Sequence, residues 1–251
     1  MTANDYLRSV IERYSLSGSE ISAAENITGA IKDLFVRAYG QRICGSPIIS
    51  RCHKMSRDRM SLDIEIVVHF ESDSFGTVKE MYDSVFDMLS RFHDTTKQHF
   101  SVRVSIGDHR VVIIPVRVLD KVSMDGEIYD RRRSGPLRTN ILRQREYVRQ
   151  SKHHDAVTLM RIWKYRNRLK VSTFLLELIT IHALSDETSD KLDAQVTKVL
   201  EFMRYGMDDL VLIDPGNSEN DVAGTLTSDD RKVLNVESCL SLSRTRWMDI
   251  I

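Results

Sequence analysis

Two carboxylates stand two residues apart inside an apolar stretch of this sequence. Residues 62–68 alternate in a way that predicts a β-strand, with four apolar side chains on one face: Leu62, Ile64, Ile66 and Val68. Because residues two apart on a strand share a face, Asp63 and Glu65 emerge side by side on the other. Paired carboxylates repel each other, and a hard divalent cation, Mg²⁺ or Mn²⁺, relieves that repulsion. A solvated strand face shows the same alternation, so both interpretations stay open on these residues alone.

A Gly-Ser pair precedes the two carboxylates. Gly45 and Ser46 follow a short predicted strand at residues 42–44 and are typical of a turn. Such a turn also lets the backbone approach a phosphate, with the hydroxyl and N–H groups as donors. The polar loop between the turn and the acid pair carries five basic side chains: Arg51, His53, Lys54, Arg57 and Arg59. The arginines and the lysine are either solvated or contact the phosphates of a nucleotide or template.

Together these residues resemble the signature of the polymerase-β-like nucleotidyltransferases, in which a Gly-Ser turn precedes an acid pair on a strand. The second half resembles the branch that includes the oligoadenylate synthases and the bacterial CD-NTases. There, residues 157–168 and 172–178 resemble a Lys-Trp-type motif followed by a Ser-Phe-x-x-Glu segment. Residues 213–223, with Leu226-Thr227 and Trp247, resemble the closing segment of that branch, and Thr139-Asn140 before a helix also fits. The resemblance runs from about residue 20 to the C-terminus.

The resemblance implies an α+β fold, with a nucleotidyltransferase-like mixed β-sheet lobe, a helical-bundle lobe and a cleft between them. The implied domains are residues 1–120, a catalytic lobe with N-terminal helices, and residues 121–251, a helical substrate-binding lobe. Asp63 and Glu65 are the implied catalytic residues and ligands of Mg²⁺ or Mn²⁺. The implied nucleotide-binding residues are Gly45, Ser46, Thr139, Asn140 and Lys164.

The sequence departs from the family pattern in the acids and in the loop. The second carboxylate of the family is usually Asp, whereas Glu65 stands here, and the loop after Ser46 is longer and lacks the usual Gly-Thr. The third carboxylate of the family precedes a proline by three residues on a later strand. Val112 occupies that position before Pro115, and valine can neither bind a metal nor activate a hydroxyl.

Two acids are near enough in sequence to be considered as substitutes for the third carboxylate. Asp108 is predicted to lie in a hairpin turn and Asp120 beyond the end of the strand, so neither fits easily. Two functional hypotheses follow. The first is an enzyme that transfers a nucleoside monophosphate from an NTP or dNTP to a hydroxyl with release of pyrophosphate, making an oligonucleotide signal in antiviral defence. The second is a catalytically degenerate protein of the same fold that binds nucleotide or nucleic acid, or serves as a partner subunit.

The partners of the enzyme would be nucleoside triphosphates and an oligonucleotide acceptor, and those of the degenerate protein would include a protein partner. Glu177 stands inside an apolar run and is interpreted as a helix-packing acid with a hydrogen-bond partner rather than a catalyst. Lys164 lies at the edge of an apolar helix face, where it is either solvated or, by the resemblance, in reach of a triphosphate.

The elements that must position these residues follow from hydrophobic periodicity. An N-terminal helical region is predicted to have Ser19 as an N-cap and to end near Gly40. After the acid-bearing strand, a helix is predicted at residues 77–92. Two strands follow at residues 100–106 and 110–118, joined by a Gly107-Asp108 hairpin turn.

The second half of the chain is predicted to be helical. Residues 120–139 are polar and contain three consecutive arginines, 131–133, so this stretch is interpreted as loop and crossover. Five helices are then predicted, at residues 140–150, 155–169, 172–184, 190–204 and 228–242. Residues 214–220 are predicted to form a turn-rich loop.

Composition limits the classes of protein. The 251 residues are 41% hydrophobic, and 36 basic residues balance 36 acidic ones. This balance argues against a protein that coats nucleic acid, but it allows a local basic cleft. Three cysteines without a CxxC spacing argue against a zinc site or a disulfide framework and are typical of the cytoplasm. We therefore expect a cytoplasmic protein with neither a signal peptide nor a membrane span.

Overall fold

The computed structural model describes residues 2–55 and 60–251. The chain divides into two compact units. One is Leu16–Arg145, the sheet unit, and the other combines Met1–Ser15 with Glu146–Ile251, the helical unit. The boundary predicted at residue 120 differs from this division, since the sheet unit continues to Arg145 and the first fifteen residues belong to the helical unit.

The elements follow one another in a mixed order of helices and strands, so the predicted α+β class is confirmed. They are α1 (Ala3–Tyr14), α2 (Gly18–Tyr39), a 3₁₀ turn (Gly40–Arg42), β1 (Ile48–Lys54), β2 (Leu62–Phe70), α3 (Val78–Ser90), β3 (Asp94–Lys97), β4 (Val102–Ile106), β5 (His109–Asp120), β6 (Asp125–Asp130), β7 (Gly135–Thr139), α4 (Ile141–Arg149), α5 (His154–Arg166), α6 (Thr173–Ala183), α7 (Leu192–Tyr205), β8 (Ile213–Asp214), β9 (Asn217–Asp221), a 3₁₀ turn (Ala223–Thr225), α8 (Ser228–Leu242) and α9 (Trp247–Ile250). None of the described helices combines the length and the apolar character that a membrane span requires.

Strand β2 lies inside a mixed sheet of the sheet unit. The order of the strands is β1-β2-β5-β4-β3, and β6 pairs with the far part of β5 and then with β7. The pair β2–β5 is parallel, whereas β1–β2 and the remaining pairs are antiparallel. The strand that carries the acid pair is therefore confirmed, and it has a neighbour on each side.

One face of β2 is buried against α2 and α3. Its side chains Leu62, Ile64, Ile66, Val68 and Phe70 are all fully buried, and they share a core with Phe35 of α2 and Tyr82 of α3. Burial of each large apolar side chain contributes about 1.5–3 kcal/mol. This packing fixes the pleat of β2, because a slip of one residue would move every side chain to the opposite face. Asp63 and Glu65 are thereby held on the other face.

Four sequence predictions about the sheet unit are wrong, and three of them concern short segments. The N-cap of α2 is Ser17, in a capping box with Glu20, rather than Ser19. Residues 42–44 form the end of a 3₁₀ turn and an isolated bridge from Ile43 to Phe70 instead of a strand. The polar loop after Ser46 contains β1, which pairs with β2 along its length.

The largest error concerns residues 120–139, predicted as loop and crossover, because residues 125–139 form the β6–β7 hairpin. Some of the polar residues that suggested a loop are paired within the sheet, whereas Arg131, Arg132 and Arg133 lie in the exposed hairpin turn. Glu127 of β6 is 8% exposed, and it accepts a hydrogen bond of 2.6 Å from Arg117 of β5. A buried carboxylate is stable in a strand when a cation and hydrogen bonds compensate its desolvation.

The helical unit has its own core, in which α1 packs with the C-terminal helices. Leu7 and Val10 of α1 belong to the same buried cluster as α5, α6 and α7. Trp163 of α5 is fully buried, and its Nε1 donates to Ser241 Oγ of α8 at 2.9 Å. Helices at 155–169, 172–184, 190–204 and 228–242 are confirmed within a few residues as α5 to α8. The predicted loop at 214–220 contains the short β8–β9 hairpin.

Gly126 of β6 is expected to tolerate no side chain. A Cβ at this position would meet a Val116 methyl group and, at 2.8 Å, the carbonyl oxygen of Arg117. We expect Gly126→Ala to lower the free energy of unfolding of the sheet unit by about 1–3 kcal/mol through overpacking. The measurement is a urea titration followed by far-UV circular dichroism.

The same hairpin supplies the control for this prediction. At Gly135 of β7 an added Cβ meets only the Arg133 carbonyl oxygen, at an ordinary 3.8 Å. Gly135→Ala should therefore leave stability within about 0.5 kcal/mol of the wild type. Equal effects of the two substitutions would contradict the close approach of β5 and β6 at Gly126.

Candidate functional site

The acid pair lies in two rows of side chains that cross the sheet. In the first row, Asp63 of β2 is beside His53 of β1 and Arg110 of β5. In the second row, Glu65 is beside Arg51 of β1 and Val112 of β5. Residues that are directly paired across strands project to the same face. The predicted adjacency of the two carboxylates is thus part of a larger group with cationic neighbours.

Asp63 forms a bidentate ion pair with Arg110. The guanidinium Nε donates to Oδ1 at 2.8 Å, and Nη2 donates to Oδ2. Asp63 is 8% exposed, whereas the Arg110 side chain is 33% exposed, so the carboxylate is buried and the guanidinium keeps some contact with water. Two parallel N–H···O bonds from a planar guanidinium are the geometry in which arginine holds a carboxylate most firmly. The carboxylate that the resemblance assigns to a metal therefore has a cation of the chain itself on both oxygens.

Glu65 also has a cationic neighbour. Arg51 Nε lies 3.7 Å from Glu65 Oε1, and the Arg51 side chain is 9% exposed. On the other side of Glu65, Val112 packs at the edge of a small apolar cluster with Val67 and Ile114. Val112, which the resemblance aligns with the third carboxylate, is thus next to Glu65 and presents a branched alkyl group.

Neither proposed substitute acid lies in these rows. Asp108 is in the β4–β5 turn, where its carbonyl oxygen accepts a hydrogen bond of 2.9 Å from Ser61. Asp120 is at the far end of β5, and its carboxylate accepts from the N–H of Val122 and the hydroxyl of Ser123. The side chains that β5 places on the face of the acid pair include Arg110, Val112, Ile114 and Val116, and none of these is an acid.

The Gly45-Ser46 turn leads directly into β1. Both residues are exposed, and Gly45 has a φ of 83°, in the left-handed region that favours glycine. The turn is anchored by the N–H of Cys44, which donates to the His69 carbonyl oxygen of β2 at 2.8 Å. Its exposed N–H groups and hydroxyl can donate hydrogen bonds to a phosphate, but they lie beside the later part of β2, beyond Val67.

Thr139 and Asn140 are buried at the junction of β7 and α4. Thr139 Oγ1 accepts a hydrogen bond of 2.8 Å from Gln144, and Asn140 is 1% exposed. The Asn140 amide donates to the Ser123 carbonyl oxygen and to Asp125, both at 2.7 Å, while its oxygen accepts from the N–H of Arg143. These bonds fix the start of α4 as an N-cap does. The predicted contact of both residues with a nucleotide stays a prediction.

Lys164 belongs to the helical unit. It is 5% exposed in α5, so the solvated alternative considered for it is wrong. Its ammonium group donates to Thr173 Oγ1 at 2.6 Å and lies 5.1 Å from the ring centre of Tyr165. A cation over an aromatic ring is stabilised by the ring quadrupole. Its predicted contact with a triphosphate stays a prediction, and Arg57 and Arg59 lie outside the described residues.

Burial changes the proton affinity of two side chains on the strands of the site. Burial, with the charges of Asp63 and Glu20, raises the pKa of the Cys52 thiol to about 11. Burial also lowers the pKa of His69 in β2 to about 4, because the imidazolium loses its hydration. At neutral pH, Cys52 is therefore a thiol and His69 a neutral imidazole.

The donor set does not fit a two-metal centre. Two-metal transfer needs oxygen ligands that bridge both ions, and Mg²⁺ demands near-octahedral geometry. Asp63 has both oxygens on Arg110, and Val112 supplies no oxygen. Within residues 2–55 and 60–251, no three His, Cys, Asp or Glu side chains come together as a group that could hold a metal ion.

Two arginines of the site were not identified from the sequence. Arg110 stands two residues before Val112, so the alternation of β5 could have placed it on the face of the acid pair. Arg103 of β4 is beside Val112, while its neighbours Val102 and Val104 point into the core on the opposite face. Its position depends on the β4–β5 register, which only the predicted Gly107-Asp108 hairpin turn could have indicated.

Solved structures share this fold although the sequence matches no protein-family model and no curated protein. The structure of CdnC from E. coli MS115-1 with ATP is similar at a TM-score of 0.69 and 16% identity, over 96% of this chain and 90% of that one. The CD-NTase CdnG from Bradyrhizobium diazoefficiens in complex with GTP is similar at a TM-score of 0.68 and 12% identity, over 94% of this chain and 90% of that one. The CdnE cyclic dinucleotide synthase from Elizabethkingia meningoseptica, with GTP and Apcpp, is similar at 0.66 and 12% identity, over 97% and 100%.

The chain therefore has the nucleotidyltransferase fold of the CD-NTases, and the resemblance predicted from the sequence is confirmed at the level of the fold. A shared fold does not determine activity, because activity depends on the side chains placed on it. The function has to be argued from the residues around Asp63 and Glu65.

Proposed function

We propose that this chain is a nucleotide-binding protein with a nucleotidyltransferase fold that has lost the metal-dependent transfer reaction. The proposal depends on one observation about the acid pair. Arg110 forms a bidentate ion pair with Asp63, and Val112 stands where the resemblance expects a third acid. A metal ion could bind Asp63 only by displacing the Arg110 guanidinium from a buried carboxylate. Even then the site would have one carboxylate fewer than the two-metal reaction uses, because Val112 supplies none.

The ligand class follows from the parts that remain. Gly45 and Ser46 offer backbone N–H groups and a hydroxyl in an exposed turn, which suits a phosphate chain. The similar solved structures contain ATP, GTP or Apcpp, which supports a nucleoside triphosphate as the ligand. In this proposal the function depends on the nucleotide-bound protein and not on a reaction product. The protein would act either as a nucleotide sensor or as a subunit that docks on a protein partner. All three cysteines are free, which supports the cytoplasm, where nucleoside triphosphates are abundant.

A second candidate function is favoured by the acid pair itself. Asp63 and Glu65 share a face of β2, and the exposed Gly-Ser turn lies beside the later part of the same strand, an order that the resemblance to the nucleotidyltransferases implies. Such an enzyme would use Mg²⁺ or Mn²⁺ to transfer a nucleoside monophosphate from an NTP or dNTP to a hydroxyl. Its product would be an oligonucleotide signal in antiviral defence. This candidate requires Arg110 to release Asp63.

One experiment separates the two candidates. The purified protein is incubated with labelled ribo- and deoxyribonucleoside triphosphates and Mg²⁺ or Mn²⁺, and pyrophosphate and nucleotide products are measured beside an Asp63→Ala variant. We expect no product above that variant, together with measurable triphosphate binding by equilibrium dialysis. Product that disappears in Asp63→Ala would establish the enzyme instead.

The turn provides a matched pair of variants for the binding part. Ser46→Glu adds a negative charge where phosphate is proposed to bind, and we expect roughly ten-fold weaker binding. Ser228→Glu adds the same charge at the exposed first residue of α8, where a carboxylate suits a helix N-terminus. It should leave binding unchanged. Equal affinities of both variants, or no binding by the wild type, would overturn the proposal.

A further inference from the structure

Around the acid pair, the described side chains on four strands of the sheet carry more positive than negative charge. On β1, β2, β5 and β4 the carboxylates of Asp63 and Glu65 lie with the guanidinium groups of Arg51, Arg103 and Arg110, and the carboxylate of Asp94 lies one strand further out, on β3. Paired residues on neighbouring strands project to one face, so the first five of these groups lie on the same side of β1, β2, β5 and β4. A site that attracts divalent cations would carry more negative than positive charge.

The three arginines differ in what they contact. Arg110 binds Asp63 through two hydrogen bonds, and Arg51 lies 3.7 Å from Glu65. Arg103 donates to Thr96 Oγ1 in a long bond of 3.3 Å, and within the described part of the chain it has no carboxylate at ion-pair distance. It is half-buried, so its charge is directed to ligands or solvent. Two arginines thus balance the acid pair, and the third remains available to an anion.

From this balance we propose that the site binds the phosphates of a nucleoside triphosphate that carries no magnesium, with guanidinium groups in the place of divalent cations. The inference rests on the proposed nucleotide-binding function and names the form of its ligand. Guanidinium groups bind phosphate oxygens through paired N–H donors, without the coordination geometry that Mg²⁺ imposes. Arg103 makes the first contact with the phosphates. Arg110 can bind them as well when its ion pair with Asp63 opens.

Neutralising Asp63 or Glu65 should change the affinity for a triphosphate in opposite directions in an arginine site and in a metal site. In a metal site, Asp63→Asn removes a ligand and weakens the binding of nucleotide. In an arginine site, the same change removes a negative charge and releases Arg110, so the affinity for a triphosphate rises. The sign of one affinity change therefore separates the two arrangements.

The test measures the affinity for ATP with excess EDTA and with excess Mg²⁺, using equilibrium dialysis of labelled ATP. We expect the wild type to bind at least as tightly in EDTA, because free ATP carries more negative charge than its magnesium complex. Asp63→Asn should bind roughly ten-fold more tightly in EDTA. Glu65→Gln, which disturbs a more exposed carboxylate, should change affinity in the same direction.

Arg103 gives the complementary variants. Arg103→Gln should weaken binding in EDTA roughly ten-fold, whereas Arg103→Lys keeps the charge and retains most of the affinity. Arg91→Gln removes the same charge from an exposed position at the end of α3 and should have no effect. Thermal unfolding of every variant identifies any that fails to fold, and Arg103 is partly exposed, so its variants should fold.

The outcomes distinguish this inference from the proposed function. Binding that requires Mg²⁺, or that weakens in both Asp63→Asn and Glu65→Gln, would overturn the arginine site while leaving a nucleotide-binding protein. An Arg103→Gln variant that binds as the wild type does would also overturn it. Absence of ATP binding under both conditions would remove the proposed function itself.

Discussion

Replacement of Arg161 by methionine is expected to destabilise the helical unit by about 3–5 kcal/mol, the usual effect of removing one partner of a buried ion pair. Arg161 of α5 has a side chain only 12% exposed and lies 3.7 Å from Glu177 of α6, which is 1% exposed. Glu177 is flanked in α6 by the buried Leu176 and Leu178. Without the guanidinium, this carboxylate keeps its desolvation cost and loses a compensating cation.

Tryptophan fluorescence is the measurement for this prediction. Both tryptophans of the chain, Trp163 and Trp247, lie in the helical unit, so a urea titration followed by fluorescence reports on that unit. The double variant Arg161→Met, Glu177→Leu removes both charges and should recover most of the lost stability. A single variant as stable as the wild type, or a double variant no better than the single one, would contradict the importance of the pair.

The interpretation of Glu177 illustrates what sequence alone could predict. An acid inside an apolar helical run indicates a buried carboxylate with a partner, because an uncompensated charge would not remain there. The structure confirms that Glu177 is buried. Its neighbour Arg161 lies on a different helix, sixteen residues earlier, and helical periodicity does not relate the faces of two helices.

Elements with a strong period were predictable, and polar strands were not. Strand β2 and helices α5 to α8 follow their hydrophobic patterns, since burial of one face is what creates the pattern. Strands β1 and β6 contain Arg51, Lys54, Glu127 and Asp130, and their polar character suggested loops. Partners from other strands or helices stabilise these side chains: Lys54 pairs with Glu20 at 2.9 Å, and Glu127 pairs with Arg117. Such long-range pairs leave no local signal.

The candidate site likewise has features that the sequence predicts and features that depend on distant parts of the chain. The adjacency of Asp63 and Glu65 follows from the alternation within one strand, and the position of Val112 follows from its spacing to Pro115. The ion pair of Asp63 with Arg110 joins residues 47 positions apart, and it depends on the parallel register of β2 and β5. That register is set by packing of the sheet on α2 and α3. The charge balance of the site, which decides between a metal ion and a guanidinium, could therefore not be read from the acid pair.

His69 is expected to make the sheet unit strongly sensitive to mild acid. It is 4% exposed in β2, and burial lowers its pKa from 6.5 to about 4. In the unfolded chain the imidazole takes up a proton below its ordinary pKa near 6.5, whereas in the folded chain it stays neutral until about pH 4. The unfolded state therefore binds more protons between these values, and stability falls as the pH is lowered through this window. Below pH 4 the free energy of unfolding is lowered by about 3 kcal/mol through this residue, and above the ordinary pKa it is not lowered at all.

The measurement is the free energy of unfolding from urea titrations between neutral pH and pH 4, followed by circular dichroism. His69→Gln and His69→Met should differ from each other in stability at neutral pH, because they pack differently in the buried site. Both should nevertheless lose the same part of the pH dependence, since neither side chain titrates. If the slope of stability against pH were equal in the wild type and in both variants, His69 would be protonated alike in the folded and unfolded chains. The buried environment described for it beside β5 would then be wrong.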